Sequence, residues 1–432
     1  MGMIVTNPSD ATEVADPGET SAEFRYWQWR ILLSSMIGYA FFYFVRTNFS
    51  FAIPGITAEF GYSKEDLGWC ITAHGLLYGV SRFANGILAD RTNARWFMAG
   101  GLAVCGGINL LAGFSSTLTA FLVLWALNGW FQGMGFPPCT RLMTHWFSPQ
   151  RLASTMSFWN VGHSLGGAGV AILCGYLVDF DWRLCFTVPA GIALFGAVSL
   201  AISLRDTPES MGLPPVKGTE HTPVDSSETL WNTLLRLVFA NKYIWLLSFA
   251  NFFVYVVRYG IISWAPTFLK QARGFELSHE AGWTVGAFEI AGILGMLSSG
   301  WITDRVFGGR GTRACLVYML SCGAAILVFW MYPSGSVAFN AAILAIAGFF
   351  IYGPQCLIGI AAANLATKRA AAASAGLTGL FGYASTLVSG AGIGWLADSH
   401  GWNAVFILLA ASAGIGSLLF ALCWPAKAHG YE

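Results

Sequence analysis

Four ionisable side chains stand inside apolar stretches: Arg46, Arg82, Arg258 and Glu289. An arginine at the centre of a membrane helix costs about 2.5–3.5 kcal/mol on insertion scales, so such groups face a bundle interior or a wet cavity. With His74 and His163 neutral, three guanidinium groups against one carboxylate leave that interior at +2. A phosphate monoester carries about −1.5 to −2 at neutral pH. Guanidinium groups grip phosphate oxygens through a planar two-pronged fork. The chemistry on offer is therefore recognition of a phosphorylated anion. Helical spacing supplies neighbours: Tyr39, Tyr43 and Arg46 fall on one stripe, His74, Tyr78 and Arg82 on a second, and Trp159, Asn160 and His163 cluster together. Their hydroxyl and amide groups can donate to phosphate or to a sugar-like hydroxyl.

Plainer readings stand beside these. His74 reads as a packing histidine, Glu289 as a structural counter-charge, and Arg82 as an accessory that raises the local field. Each tyrosine has an ordinary packing role as its alternative.

The elements that hold these groups are membrane helices. Only 10% of the 432 residues are charged and 55% are hydrophobic, against about 25% charged in a soluble domain. Fifty-one glycines suit helices packed closely in lipid. A net charge of +1 provides no basic stripe for nucleic acid. The nine cysteines are scattered with no metal-like spacing and read as small buried hydrophobes. Neither a P-loop nor H-E-x-x-H occurs, and no nucleophile–base pair can be placed, so an enzyme is not expected.

At about 20 apolar residues per crossing, twelve spans are predicted, roughly 31–53, 67–89, 96–114, 119–138, 155–178, 184–204, 243–268, 282–303, 314–332, 338–363, 374–396 and 402–424. The expected organisation is a disordered tail (1–27), a six-helix bundle (28–204), a polar linker (205–241), a second six-helix bundle (242–425) and a short tail (426–432). With both termini on one side, that side carries sixteen of the 23 Lys and Arg residues and the other carries four. The excess of positive charge predicts that both termini are cytoplasmic.

The halves repeat. Gly86-Ile87-Leu88-Ala89-Asp90-Arg91 is echoed by Gly300-Trp301-Ile302-Thr303-Asp304-Arg305, and Gly68-Trp69 by Gly282-Trp283, both at an offset of 214. Tyr43 and Arg46 correspond to Tyr255 and Arg258 at an offset of 212. Parallel six-helix repeats with a midplane site at their interface are a transporter architecture. The repeat sets Arg46 and Arg258 opposite each other, one from each half, as a clamp for phosphate. Asp90, Arg91, Asp304 and Arg305 fall at the rim and read as inter-helix latches.

Longer strings sharpen this. Gly38-Tyr39-Ala40 with Tyr43, Arg46 and Asn48, Gly129-Trp130-Phe131-Gln132-Gly133-Met134-Gly135, Arg205-Asp206-Thr207-Pro208, Arg258-Tyr259-Gly260 and Gly379-Leu380-Phe381-Gly382-Tyr383 run through almost the whole chain. The sequence resembles the organophosphate:phosphate antiporter family of the major facilitator superfamily. The resemblance implies an all-α fold in two pseudo-symmetric bundles in a bacterial inner membrane. It implies that Arg46 and Arg258 bind phosphate, with Tyr255, Tyr352 and Tyr383 lining the site from the second half. The expected activity is exchange of an organophosphate for inorganic phosphate, with no cofactor, membrane lipid around the chain, and a monomer as the working unit. One family branch instead senses external hexose phosphate and signals to a membrane kinase, which is the alternative. Thr47 after Arg46, Arg82, Phe136 and Ser263 depart from residues common in the family. They leave the organic part of the substrate open, with a lean to a three-carbon phosphate.

Overall fold

The structure is a computed structural model describing residues 21–216 and 235–426, with the side chains of 83, 90, 149–150, 153–154 and 367–372 outside the described set. Most of the expected N-terminal tail, the middle of the linker and residues 427–432 also lie outside it.

The first half contains α1 (Ala22–Phe44), α2 (Phe49–Phe60), α3 (Lys64–Arg91), α4 (Ala94–Gly113), α5 (Leu118–Gln132), α6 (Phe136–Trp146), α7 (Pro149–Leu177) and α8 (Leu184–Ser203). The second contains α9 (Lys242–Ala272), α10 (Ser278–Arg305), α11 (Gly311–Met331), α12 (Val337–Leu365), α13 (Thr367–Ala384), α14 (Ile393–Ser399) and α15 (Gly401–Leu422). Among the described residues, eight helical stretches are long and apolar enough to cross a membrane: α4, α8 to α12, Ala373–Ser399 and α15. Their outward surfaces carry large apolar side chains such as Phe195, Leu294, Trp301 and Leu418, the surface a lipid environment requires.

Three of the expected spans are not continuous helices. The first begins earlier, at Ala22, and breaks between α1 and α2 at residues 45–48. The fourth breaks between α5 and α6 at 133–135. The eleventh passes through a π-helical turn at Val388–Gly392. That turn has an identifiable cause. The Trp264 indole donates to Ser389 O (2.8 Å), while Thr72 donates to Thr386 O (2.8 Å) and accepts from Ala391 N (2.9 Å), so side chains of neighbouring helices enter the ladder. Apolarity windows cannot see such insertions, because the residues remain apolar through the break.

The described chain ends, Ser21 and Ala426, share one face, here the near face; the opposite is the far face. On the far face the two halves meet backbone to backbone. A Cβ added to Gly68 would lie 2.7 Å from Gly390 O, and one added to Gly282 would lie 2.6 Å from Ala171 O. Polar ties surround these contacts. Lys64 pairs with Asp398 at 2.7 Å, and the Ser278 amide donates to Asp179 at 3.1 Å. The His279 ring stacks on Tyr176 with centroids 4.9 Å apart. The far end of α2 is pinned to the loop before α8, where Arg183 donates twice to Glu59 at 2.7 Å. Those bonds, with one from the Trp182 indole, hold the Glu59 carboxyl well below its usual range, at about 2. On the near face Arg141 binds Asp206 at 3.1 Å, and Asp206 also accepts from Ala94 N at 2.8 Å at the start of α4. The linker's first residues are thus tied to the first half.

Because the seal rests on missing side chains, Gly282→Leu should pry the far face open. Hydrogen–deuterium exchange should accelerate in peptides covering 171–179 and 278–286; unchanged protection would mean the glycine contact does not hold the seal.

Candidate substrate-binding site

Arg46 lies in the break between α1 and α2, not on the helical stripe with Tyr39 and Tyr43 that its spacing suggests. A break leaves carbonyls without helical partners, and inside a membrane each must be satisfied by protein. Val45 O accepts from Asn128 at 2.8 Å, Asn109 at 3.1 Å and Gln132 at 3.3 Å. Gln132 also donates to Phe42 O at 2.9 Å, and Asn48 donates to Asn109 Oδ1 (2.9 Å) and Cys185 O (2.8 Å). All four amide side chains are buried. The network fixes the break and with it the direction of Arg46. Arg258, its repeat partner, sits instead within the unbroken α9.

The two arginines converge on Tyr259. Arg46 donates to its hydroxyl at 3.3 Å, and the Arg258 guanidinium carbon stands 5.3 Å from its ring centroid. Arg46 lies 3.9 Å from the Tyr78 centroid and 5.2 Å from that of Tyr43. Arg258 donates to Tyr352 Oη at 2.9 Å, and Tyr352 donates to Glu289 at 2.5 Å. The one carboxylate therefore reaches Arg258 through a phenol. Gly167 makes room for it across the interface, since a Cβ there would meet the Glu289 carboxyl carbon at 2.9 Å. Arg82 donates to Tyr383 at 3.2 Å and lies 4.1 Å from the Phe136 centroid. Tyr383 in turn packs on Tyr78 at 4.8 Å and Tyr255 at 5.6 Å. His163 stands between Tyr43 (5.6 Å) and Tyr352 (5.9 Å), and it also bonds Asn160 O. Tyr39 packs against Trp159 at 4.8 Å.

Arg46, Arg82, Arg258, Glu289, His163, Tyr43, Tyr78, Tyr255, Tyr352 and Tyr383 thus form one inter-half cluster, buried except for the half-buried Arg82. Tyr39 lies at its edge, and Asn160 reaches across to Met296 Sδ at 3.8 Å. Three cations meet one anion, and the remaining contacts are to neutral hydroxyls and ring faces. Such rings attract a cation but do not neutralise it. The cluster therefore carries an excess of positive charge among the described residues.

Residues 35–392 match the family described as the Major Facilitator Superfamily. The chain belongs to that superfamily. It is 37% identical over 438 residues to the "Probable hexose phosphate transport protein" of Chlamydia muridarum (97% of this chain, 96% of the relative). It is 38% identical over 435 residues to the "Glycerol-3-phosphate transporter" of Bacillus subtilis, covering 97% of each. It is 37% identical over 420 residues to the "Membrane sensor protein UhpC" of Escherichia coli, covering 95% of each. The fold agrees with a bacterial homologue of the lysosomal transporter Spinster in an inward-facing, unoccupied conformation. The TM-score is 0.71 at 16% identity, covering 92% of this chain and 96% of that one.

The superfamily's members are transporters by fold, not enzymes, and one motif in the chain needs comment on that account. Gly162-His163-Ser164-Leu165-Gly166 has the G-x-S-x-G spacing of a hydrolase nucleophile, a motif that sequence reasoning passed over. It runs mid-way through α7, where no strand-to-helix turn presents the serine. The rim residues are less engaged than their motif suggests. Arg91, Asp304 and Arg305 are exposed and join no hydrogen bond or ion pair among the described residues, while the Asp90 side chain lies outside that set. The Arg141–Asp206 pair, which sequence reasoning passed over, is the tie found on that face. Tyr259 was also missed: it directly follows Arg258, and adjacent helical positions do not share a face.

If the amide network fixes the break, Asn109→Leu should lower stability by about 1–3 kcal/mol, since it leaves buried backbone groups unpaired. Thermal melting of the purified protein in detergent checks this; a wild-type midpoint would assign the network no role in stability.

Proposed function

We propose that this chain is a secondary transporter that exchanges an organophosphate for inorganic phosphate across a bacterial inner membrane by alternating access. The observation that carries the reading is the charge balance of the cluster: buried Arg46 and Arg258 with half-buried Arg82, against Glu289 alone among the described residues. Arg46 and Arg258 clamp the phosphate between the halves. Arg82 strengthens the field, Glu289 through Tyr352 orients Arg258, and His163, Asn160 and the tyrosines Tyr39, Tyr43, Tyr78, Tyr255, Tyr352 and Tyr383 shape and donate to the ligand. The names of the relatives, which transport hexose phosphate and glycerol-3-phosphate, support the same substrate class.

The mechanism follows from repulsion. Two unit charges about 4 Å apart interact by about 4 kcal/mol at an effective dielectric of 20. Closing an empty site around two arginines opposes that force, whereas a bound dianion reverses its sign. A ligand shifts a conformational equilibrium only by its differential affinity for the states. The loaded carrier therefore crosses and the empty one stalls, which yields exchange. In this reading the twelve predicted spans all cross the bilayer, both termini are cytoplasmic, the far face is external and the monomer is the working unit. Asp90, Arg91, Asp304 and Arg305 act as latches when the near face closes.

A second reading has one specific observation behind it: the 37% identity to a protein named as a membrane sensor. The same clamp would then report external sugar phosphate to a membrane kinase partner.

Phosphate-loaded proteoliposomes offered glycerol, hexose, glycerate and phosphonate substrates separate the readings. Uptake coupled to phosphate release supports the transporter, and binding without uptake supports the sensor. Arg46→Lys and Arg258→Lys should each slow exchange by about tenfold or more, because lysine replaces a two-pronged donor with a point charge; wild-type rates in either would remove the clamp. Labelled phosphate should stay inside when the outer buffer lacks a substrate anion, and rapid efflux there would rule out obligate exchange.

A further inference from the structure

Behind Arg46, toward the far face, lies a small cavity of about 40 Å³ that the phosphate clamp does not use. Besides Arg46 and Tyr259, its lining includes Thr47, His74, Ser263 and Thr386. His74 is the informative member. It is 7% exposed, its ring stacks on Trp125 with centroids 5.3 Å apart, and its Nδ1 lies 3.3 Å from Trp125 O. A carbonyl only accepts, so Nδ1 carries the proton and Nε2 of the neutral ring is an acceptor. That Nε2 is buried and has no hydrogen-bond partner among the described residues. A buried polar atom left unpaired is costly, so it marks a place where a partner belongs.

Two of the lining hydroxyls have the same sense, while those of Ser50, Ser263 and Tyr259 can turn either a proton or a lone pair to a ligand. The Thr47 hydroxyl already donates to Tyr43 O at 3.3 Å, and that of Thr386 to Tyr383 O at 2.7 Å. Both therefore turn lone pairs, not protons, to any further partner. No carboxylate lines the cavity, and its one cation, Arg46, is shared with the clamp. A pocket offering acceptors beside a phosphate-binding guanidinium fits a neutral O–H donor next to a phosphate. A water needs about 10–15 Å³ of cavity space, so this cavity of about 40 Å³ takes a small hydroxyl-bearing group and not a sugar ring. Its backbone is built for closeness: a Cβ on Gly75 would lie 2.3 Å from Thr386 Cγ2.

We propose that this cavity is a hydroxyl subsite of the organophosphate site, in which His74 Nε2 and the Thr47 and Thr386 oxygens accept from a hydroxyl of the ligand's organic part while Arg46 holds its phosphate. The preferred class is a short polyol phosphate. His74 is then a specificity-determining residue, which goes beyond its plainer role in packing. The proposal rests on the reading of the arginine cluster as an organophosphate site.

Competition against labelled inorganic phosphate on the purified protein tests it without requiring transport. Glycerol 3-phosphate and propyl phosphate, which lacks both hydroxyls, serve as probes. Wild-type protein should favour glycerol 3-phosphate by about tenfold or more, because the unhydroxylated ester leaves the acceptors unpaired. His74→Leu should reduce that ratio by at least about fivefold, on the scale of one lost hydrogen bond. Ser263→Val, which fills the cavity without touching the His74–Trp125 stack, should reduce it too and decides the matter if His74→Leu does not fold. A wild-type ratio near one means the cavity holds water only and overturns the proposal. So does a ratio unchanged in the variants, or an equal loss of affinity for both esters, which would make His74 structural. Absence of phosphate binding in the wild type is a different result: it overturns the proposed function itself.

Discussion

The structure depends on one electrostatic imbalance. Three guanidinium groups and one carboxylate are held inside an apolar bundle, with Arg46, Arg258 and Glu289 buried and Arg82 half-buried. A hydrophobic replacement of such groups is often neutral or stabilising in soluble proteins, so retention of the excess charge has no stability rationale. What surrounds the arginines follows from that constraint. Tyrosine faces and hydroxyls soften the cost without cancelling the charge: Tyr78 and Tyr43 at Arg46, Tyr352 at Arg258, Tyr383 at Arg82. Glu289 is kept one phenol away from Arg258, so the second half does not silence its own arginine.

The halves solve the positioning problem differently. In the second half, α9 runs unbroken and presents Arg258 from a regular backbone. In the first, the chain leaves the helix at residues 45–48, and Asn48, Asn109, Asn128 and Gln132 rebuild the lost hydrogen bonds from the side. Repeat symmetry at the level of residues thus coexists with asymmetry of the backbone. Discontinuous helices near a midplane site are a recurring way for transporters to bring polar groups to a ligand.

Much of this was legible in the sequence for physical reasons. Isolated charges in apolar stretches are so costly that they stand out against the composition, and the repeat at offsets of 212 and 214 paired Arg46 with Arg258. The tyrosines at helical spacing also gathered where expected. What escaped was anything set by tertiary contact. The break at 45–48 depends on amides far along the chain, Asn109 bonding Val45 O and Gln132 bonding Phe42 O, 64 and 90 residues away. The empty acceptor of His74 appears only once Trp125 claims the other ring nitrogen. Arg141 and Asp206 looked like ordinary loop charges until folding brought them together.

The far-face seal has a consequence of its own. Where Gly68 meets Gly390 and Gly175 meets Gly282, the contact is between backbones. Parting them strands few side chains and releases little rotamer freedom, because glycine has none to lose. Besides the buried Thr72 bonds with Thr386 O and Ala391 N, the bias between sealed and unsealed forms then rests on a few outer polar ties, chiefly Lys64 with Asp398 and Asp179 with the start of α10. Interactions of that kind are weakened by dissolved ions, over a screening distance of about 8 Å at physiological ionic strength. The salinity of the medium bathing that face thereby becomes an input to the molecule's conformational balance, acting far from the arginines and without occupying their site.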